Sequence, residues 1–143
     1  MLFRSDKMTL AAMEATFRAY YDEESAKQEI PVLAMLTRTE EQMKGYADRL
    51  KRLIDSKKAG YTVRKEKDKG MVGGGSAPSS YLDNIVLKLY HDKYSAQELA
   101  ARLRSGELPV VTRIRDDELI IDMRTIMEDE IPIIAERLEE IAE

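Results

Sequence analysis

The chain has 143 residues, 23 of them basic and 27 acidic, a net charge of −4, one histidine and no cysteine. A disulfide framework and a thiolate metal site are thereby excluded. The mixed charge is not the one-sided basic excess of a nucleic-acid footprint, and no apolar run approaches the roughly 20 residues of a membrane span.

A single domain over 1–143 with a substantial core is expected from this length. The N-terminus, MLFRSDKMTLAAME, lacks the basic-then-apolar order of a signal peptide, which points to the cytoplasm.

The first helix is expected near 7–21. Asp6 is a good N-cap, and Leu10, Met13, Phe17 and Tyr20 or Tyr21 recur at helical spacing. A break at 22–26 precedes a short helix toward Met35, with Pro31 in its first turn. Thr39-Glu40-Glu41-Gln42 reads as a capping box that opens a helix. Its stripe is Met43, Tyr46, Leu50, Leu53 and Ile54, and Gly60 is its stop signal.

The period then changes. Tyr61 and Val63 alternate with polar residues, as do Ile85, Leu87 and Leu89 within 84–90, so two strands are expected with the glycine-rich GMVGGGSAPSS between them. Ser95-Ala96-Gln97-Glu98 is a second capping box, followed by Leu99 and Leu103 and stopped by Gly106. Residues 110–115 and 118–123 read as strands joined by a hairpin turn at Asp116-Asp117. A last helix starts near Asp129 with Ile131, Ile134, Leu138 and Ile141 on one face and Pro132 in its first turn.

This order predicts an α+β sandwich: about four strands in an antiparallel or mixed sheet with helices on one face. Residues 1–58 are mainly helical, 61–126 hold the strands and one helix, and 129–142 form the terminal helix.

Few residues could carry chemistry. The glycines 73–75 lack the Gly-Lys-Ser/Thr of a phosphate loop and no strand-to-helix step follows them, so they read as a flexible strand connection, with a substrate- or interface-facing loop as the alternative. His91 beside Asp92 could serve as a base, but a surface histidine at a strand end is the simpler expectation. Asp116, Asp117 and Asp122 read as a solvated hairpin rather than a metal site.

The basic run Lys51, Arg52, Lys57, Lys58, Arg64, Lys65, Lys67 and Lys69 reads as a solvated helix end and loop, with RNA contact as the alternative. Met8, Met13, Met35 and Met43 read as core filler. Arg4, just before the Asp6 cap, is a candidate anion contact at a helix N-terminus.

Several stretches together resemble one family. FRSDKMTLAAMEATFRAY (3–20) is similar to the segment after the cofactor-lysine region of bacterial selenocysteine synthases, the L-seryl-tRNA(Sec) selenium transferases. EIPVLAML (29–36), VGGGSAP (72–78), PVVTRI (109–114) and LIIDMRTI (119–126) resemble later segments in the same order.

The resemblance implies the small C-terminal domain of an aminotransferase-like, fold type I enzyme that uses pyridoxal phosphate. The parent would replace the seryl hydroxyl on tRNA(Sec) by selenium from selenophosphate. The cofactor lysine and the large domain lie outside this chain, so the fragment by itself is expected to be inactive and to hold no cofactor. Of the family's two donor-binding arginines, the first falls on Met1 and the second on Arg4; Arg4 is thus the one residue to which the resemblance assigns selenophosphate binding.

A related pyridoxal-phosphate lyase or aldolase acting on sugar acids, and a free-standing interaction module, are the alternatives. As a fragment the chain is expected to expose apolar surface and to associate as a homo-oligomer.

Overall fold

The computed structural model describes residues 6–72 and 77–142. They form two compact units, Met1–Arg38 and Thr39–Glu143, each described on its own.

The first unit is helical. α1 spans Lys7–Ala19, and its Asp6 N-cap accepts the Thr9 N–H at 2.8 Å. α2 (Glu23–Glu29) occupies most of the expected break, because Asp22 is itself an N-cap and takes the Glu24 N–H. α3 (Pro31–Thr37) starts at Pro31, whose missing donor falls among the orphan N–H groups of a first turn.

The second unit is α+β. α4 (Glu40–Lys57) begins in the Thr39/Gln42 capping box and ends at Lys58, a left-handed residue at φ 53°. β1 (Tyr61–Val72) and β2 (Ala77–His91) form a long antiparallel pair, from Tyr61 opposite His91 to Gly70 opposite Leu82. α5 (Ala96–Arg104) begins in the Ser95/Glu98 capping box. β3 (Arg113–Arg115) and β4 (Glu118–Asp122) pair around Asp116 and Asp117. Both turn residues have positive φ, 55° and 59°, as a two-residue turn matched to strand twist requires. α6 runs Glu130–Ala142.

The sheet order is β1-β2-β4-β3, antiparallel throughout. One face carries Val63, Ile85, Leu87, Leu89, Leu119 and Ile121 into a core shared with Met43, Leu50, Leu99 and Leu138 of α4, α5 and α6. Period 2 in the strands and 3.6 in the helices are each satisfied by the same buried set.

Three expectations are corrected. The run from Arg64 to Lys69 is strand, not loop: cross-strand pairing to β2 absorbs it, and its charges find partners. Residues 110–112 are not strand: the β3–β4 ladder stops at Arg113 opposite Ile120, although β4 runs on to Asp122, and the Val110 N–H is given instead to the Leu103 carbonyl at 2.9 Å. Of the methionines read as core filler, Met43 is buried, but Met8 and Met13 are exposed on α1.

Candidate functional site

Arg4 and the glycines 73–75 lie outside the described residues. Two positions after Arg4 in the sequence, the Asp6 carboxylate takes the Thr9 N–H, which lowers its pKa from the ordinary value of 3.8. One of the helix donors that would make this end attractive to an anion is therefore occupied by the chain's own cap.

The sheet face away from the helices is the most organised polar surface of the second unit. Strand alternation and register place Arg64, Lys88, Ile120 and Arg113 in one row across all four strands. Glu66, Val86 and Asp122 form the next row. Val86 and Ile120 are buried in the middle of this face, beneath charged side chains.

Four bases and four acids interlock there. Lys88 lies 2.6 Å from Glu66 and 3.7 Å from Glu118, which Arg64 also meets. Arg113 bridges Asp68 and Asp122 at 3.2 Å each, and Arg115 reaches Asp68 at 3.4 Å. The aliphatic stems cover Val86 and Ile120 while the heads pair.

Asn84, buried opposite Asp68, accepts the Ile85 N–H, and its Nδ2 has no partner among the described residues. The signal passed over in the sequence is that Glu66 and Asp68 alternate with Lys65, Lys67 and Lys69, a period-2 charge pattern that suits a strand.

The ion pairs set a direction for pH. Hydrogen bonds from Lys44 and then Lys67 lower Glu40 from 4.5 to about 2. Lys88 lowers Glu66. Burial would raise Asp68, but the Lys69 N–H and the Arg115 and Arg113 guanidiniums outweigh it and leave it below 3.8.

Carboxyls depressed in the folded state contribute stability that is fully present above their unfolded pKa and is lost as pH falls through the folded value. The urea midpoint of the chain is expected to hold between neutral pH and ~5 and to decline steadily from there to ~2. A midpoint unchanged at ~3 contradicts this assignment of the pairs.

The reading of His91 is also corrected: it is not on the surface but 4 % exposed. Nε2 lies 2.9 Å from the Ala59 carbonyl, and Nδ1 accepts the Lys93 N–H at 3.1 Å. This pattern fits a neutral ring protonated at Nε2. Tyr61 packs edge-on at 4.9 Å, Tyr94 stacks at 5.1 Å, and the Arg102 guanidinium covers Tyr94 at 4.0 Å. Both ring nitrogens are engaged, Nε2 in tying the end of β2 to the segment after α4 and Nδ1 in the bend after β2, so His91 is a structural pin.

Asp116 and Asp117 form the turn, as expected, and Asp122 caps the following bend through the Arg124 N–H at 3.0 Å. No cluster of metal-ligating side chains occurs among the described residues.

A pyridoxal phosphate site needs a lysine able to give up its proton in a sheltered pocket. Three of the described lysines do not fit. Lys27 and Lys67 are shifted upward by the carboxylates they bond. The most enclosed ion-paired one, Lys88, is set between two glutamates. The apolar hollow of about 300 Å³ at Leu108, Val111, Ile126 and Ile133 contains no lysine.

The sequence profile of the L-seryl-tRNA selenium transferase family matches residues 1–127. Among curated proteins, the L-seryl-tRNA(Sec) selenium transferase of Alkaliphilus oremlandii is 41 % identical over 97 % of the chain and 30 % of its own length. That of Aquifex aeolicus is 39 % identical over 96 % of the chain, and that of Clostridium botulinum strain Hall 37 % over 96 %, each again over 30 % of its length. The chain therefore spans less than a third of the curated relatives it matches, with the match running through both compact units. It belongs to the L-seryl-tRNA selenium transferase family.

Proposed function

We propose that the chain is the C-terminal part of a pyridoxal-phosphate-dependent selenium transferase that converts seryl-tRNA(Sec) to selenocysteinyl-tRNA(Sec) with selenophosphate as donor. Identity of 37–41 % to proteins of that name over 96–97 % of the chain carries this reading. The chain matches 30 % of its relatives' length, and the cofactor is assigned to polypeptide outside it; by itself the chain is inactive.

The described residues supply rigidity. A closed apolar core lies on one side of the sheet and a neutralised ionic lattice on the other. The partners of the parent are the large domain, the tRNA and further copies of the enzyme. Its compartment is the cytoplasm; no helix among the described residues is long and apolar enough to cross a membrane.

Arg4 is the residue assigned to the donor. A guanidinium grips a phosphate-like oxyanion through two parallel N–H bonds, and a hydrogen bond to such a charged group contributes about 1.5–3 kcal/mol. In the full-length enzyme, Arg4→Ala is expected to weaken selenophosphate use about ten- to a hundredfold and to leave the cofactor's absorbance unchanged. Unaltered donor kinetics remove Arg4 from the site; loss of cofactor absorbance gives it a different role.

A further inference from the structure

α1 carries an apolar face that its own unit leaves uncovered. Leu10, Met13, Phe17 and Tyr21 follow one another at helical spacing and line a groove of about 600 Å³. They are 53, 46, 63 and 90 % exposed, and no residue of the 13-residue helix is buried. The groove's charged lining residues, Glu14 and Arg18, neutralise each other at 2.7 Å, so what remains on offer is apolar.

A helix of this length is marginal in water without a packed face. Its Asp6 cap and one exposed ion pair contribute about 1 kcal/mol together. Covering the four large side chains would contribute roughly 1.5–3 kcal/mol for each one fully buried.

We propose that this face is the seat of the part of the family's longer polypeptide that this chain does not contain. The proposal rests on the reading that the chain is a portion of a longer enzyme, and three observations favour that occupant. The chain spans 30 % of its relatives' length, so most of the polypeptide surface available to cover α1 lies outside it. The family profile matches from residue 1 through α1, so the stripe belongs to sequence the family shares. Four side chains bury at most several hundred Å², below the roughly 800 Å² a side typical of stable association between separate molecules. Within one polypeptide the translational cost of association does not arise, and a small apolar seat suffices.

Cysteine accessibility tests this, because the chain has no cysteine of its own. Phe17→Cys and Leu10→Cys are made singly in the full-length protein and in the 143-residue chain. Ala12→Cys, on the opposite side of the helix, is the control. Alkylation by N-ethylmaleimide is followed by mass spectrometry of the α1 peptide, and a circular-dichroism melt checks each variant for folding. Two separate positions keep the test decisive if one substitution unfolds the protein.

At positions 10 and 17 the expected result is at least a tenfold slower reaction in the full-length protein than in the 143-residue chain, with position 12 fast in both. Equal, fast labelling in both proteins overturns the proposal. So does equal protection in the short chain, which would mean that its own residues cover α1. Protection of the full-length protein that disappears on dilution assigns the face to a second copy and also overturns it. Selenium transfer by the same full-length protein is assayed separately, so a failure of the enzymatic reading is distinguished from a failure of the docking.

Discussion

Leu87→Ala is expected to destabilise the second unit by about 2–5 kcal/mol, through lost transfer energy plus an unfilled cavity. Leu87 is fully buried on the central strand β2, where Lys65 of β1 and Ile121 of β4 flank it in register. It points into the core built by α4, α5 and α6, and on a strand hydrogen-bonded on both sides the backbone cannot move in to close the gap. Against a total stability of about 5–15 kcal/mol for a domain, the loss is a large fraction.

Urea unfolding of the 143-residue chain, read by circular dichroism, measures it. Leu87→Met, which nearly conserves volume, is expected to cost less than ~1.5 kcal/mol. If the alanine variant costs no more than the methionine variant, the core is not centred on this strand.

Much of this fold was legible because several signals coincided at each element. Thr39 with Gln42 and Ser95 with Glu98 mark helix starts through reciprocal side-chain and backbone hydrogen bonds, a local rule that needs no tertiary context. The stripe Ile131, Ile134, Leu138 and Ile141 is buried as its spacing requires. The Asp116-Asp117 turn also formed where expected, since aspartate tolerates the left-handed region better than most residues.

What was not legible depends on partners distant in sequence. Lys65 and Lys67 look like a solvated run until α4 brings Asp48 and Glu40 to them. His91 reads as a surface residue until the α4–β1 connection places the Ala59 carbonyl against it. Residues 110–112 have strand composition, but the Val110 N–H bonds the Leu103 carbonyl at the end of α5 and the ladder with β4 begins only at Arg113. The same limit applies to the candidate site. Arg4 was a candidate anion contact from its place just before the Asp6 cap, but only the family resemblance ties it to selenophosphate.

The two faces of the sheet are stabilised by different physics. The helix side is sealed by apolar burial. The other side meets solvent with interlocked charges of equal number, so it stays soluble without presenting a strong field of either sign. A neutral lattice of this kind would not by itself steer an RNA phosphate backbone, which calls for unpaired basic side chains.

Gly106→Ala is expected to cost about 1.5–3 kcal/mol, the range for a hydrogen bond to a charged group, although the glycine follows a helix that has already ended. A Cβ at this position would lie 1.9 Å from Arg137 Nη2 and 2.3 Å from its Cζ. The Arg137 side chain is enclosed, and its Nη2 donates to the Arg102 carbonyl at 3.3 Å, near the end of α5, while Nη1 meets Glu140. Arg102 in turn donates to the Ile141 carbonyl at 2.9 Å, near the end of α6. Each helix therefore supplies an arginine to the other's terminal carbonyls, where a positive charge also suits the helix dipole.

Alanine at 106 evicts the Arg137 guanidinium and breaks one half of this exchange. The cause is separable from any general effect of the methyl group by a double-mutant cycle. Arg137→Met alone loses the hydrogen bond to Arg102, but in its presence the methyl at 106 no longer has a guanidinium to displace. The two substitutions together should therefore cost at least ~1 kcal/mol less than the sum of the singles in urea unfolding. Strict additivity would show that the glycine is required for a reason other than the space Arg137 occupies.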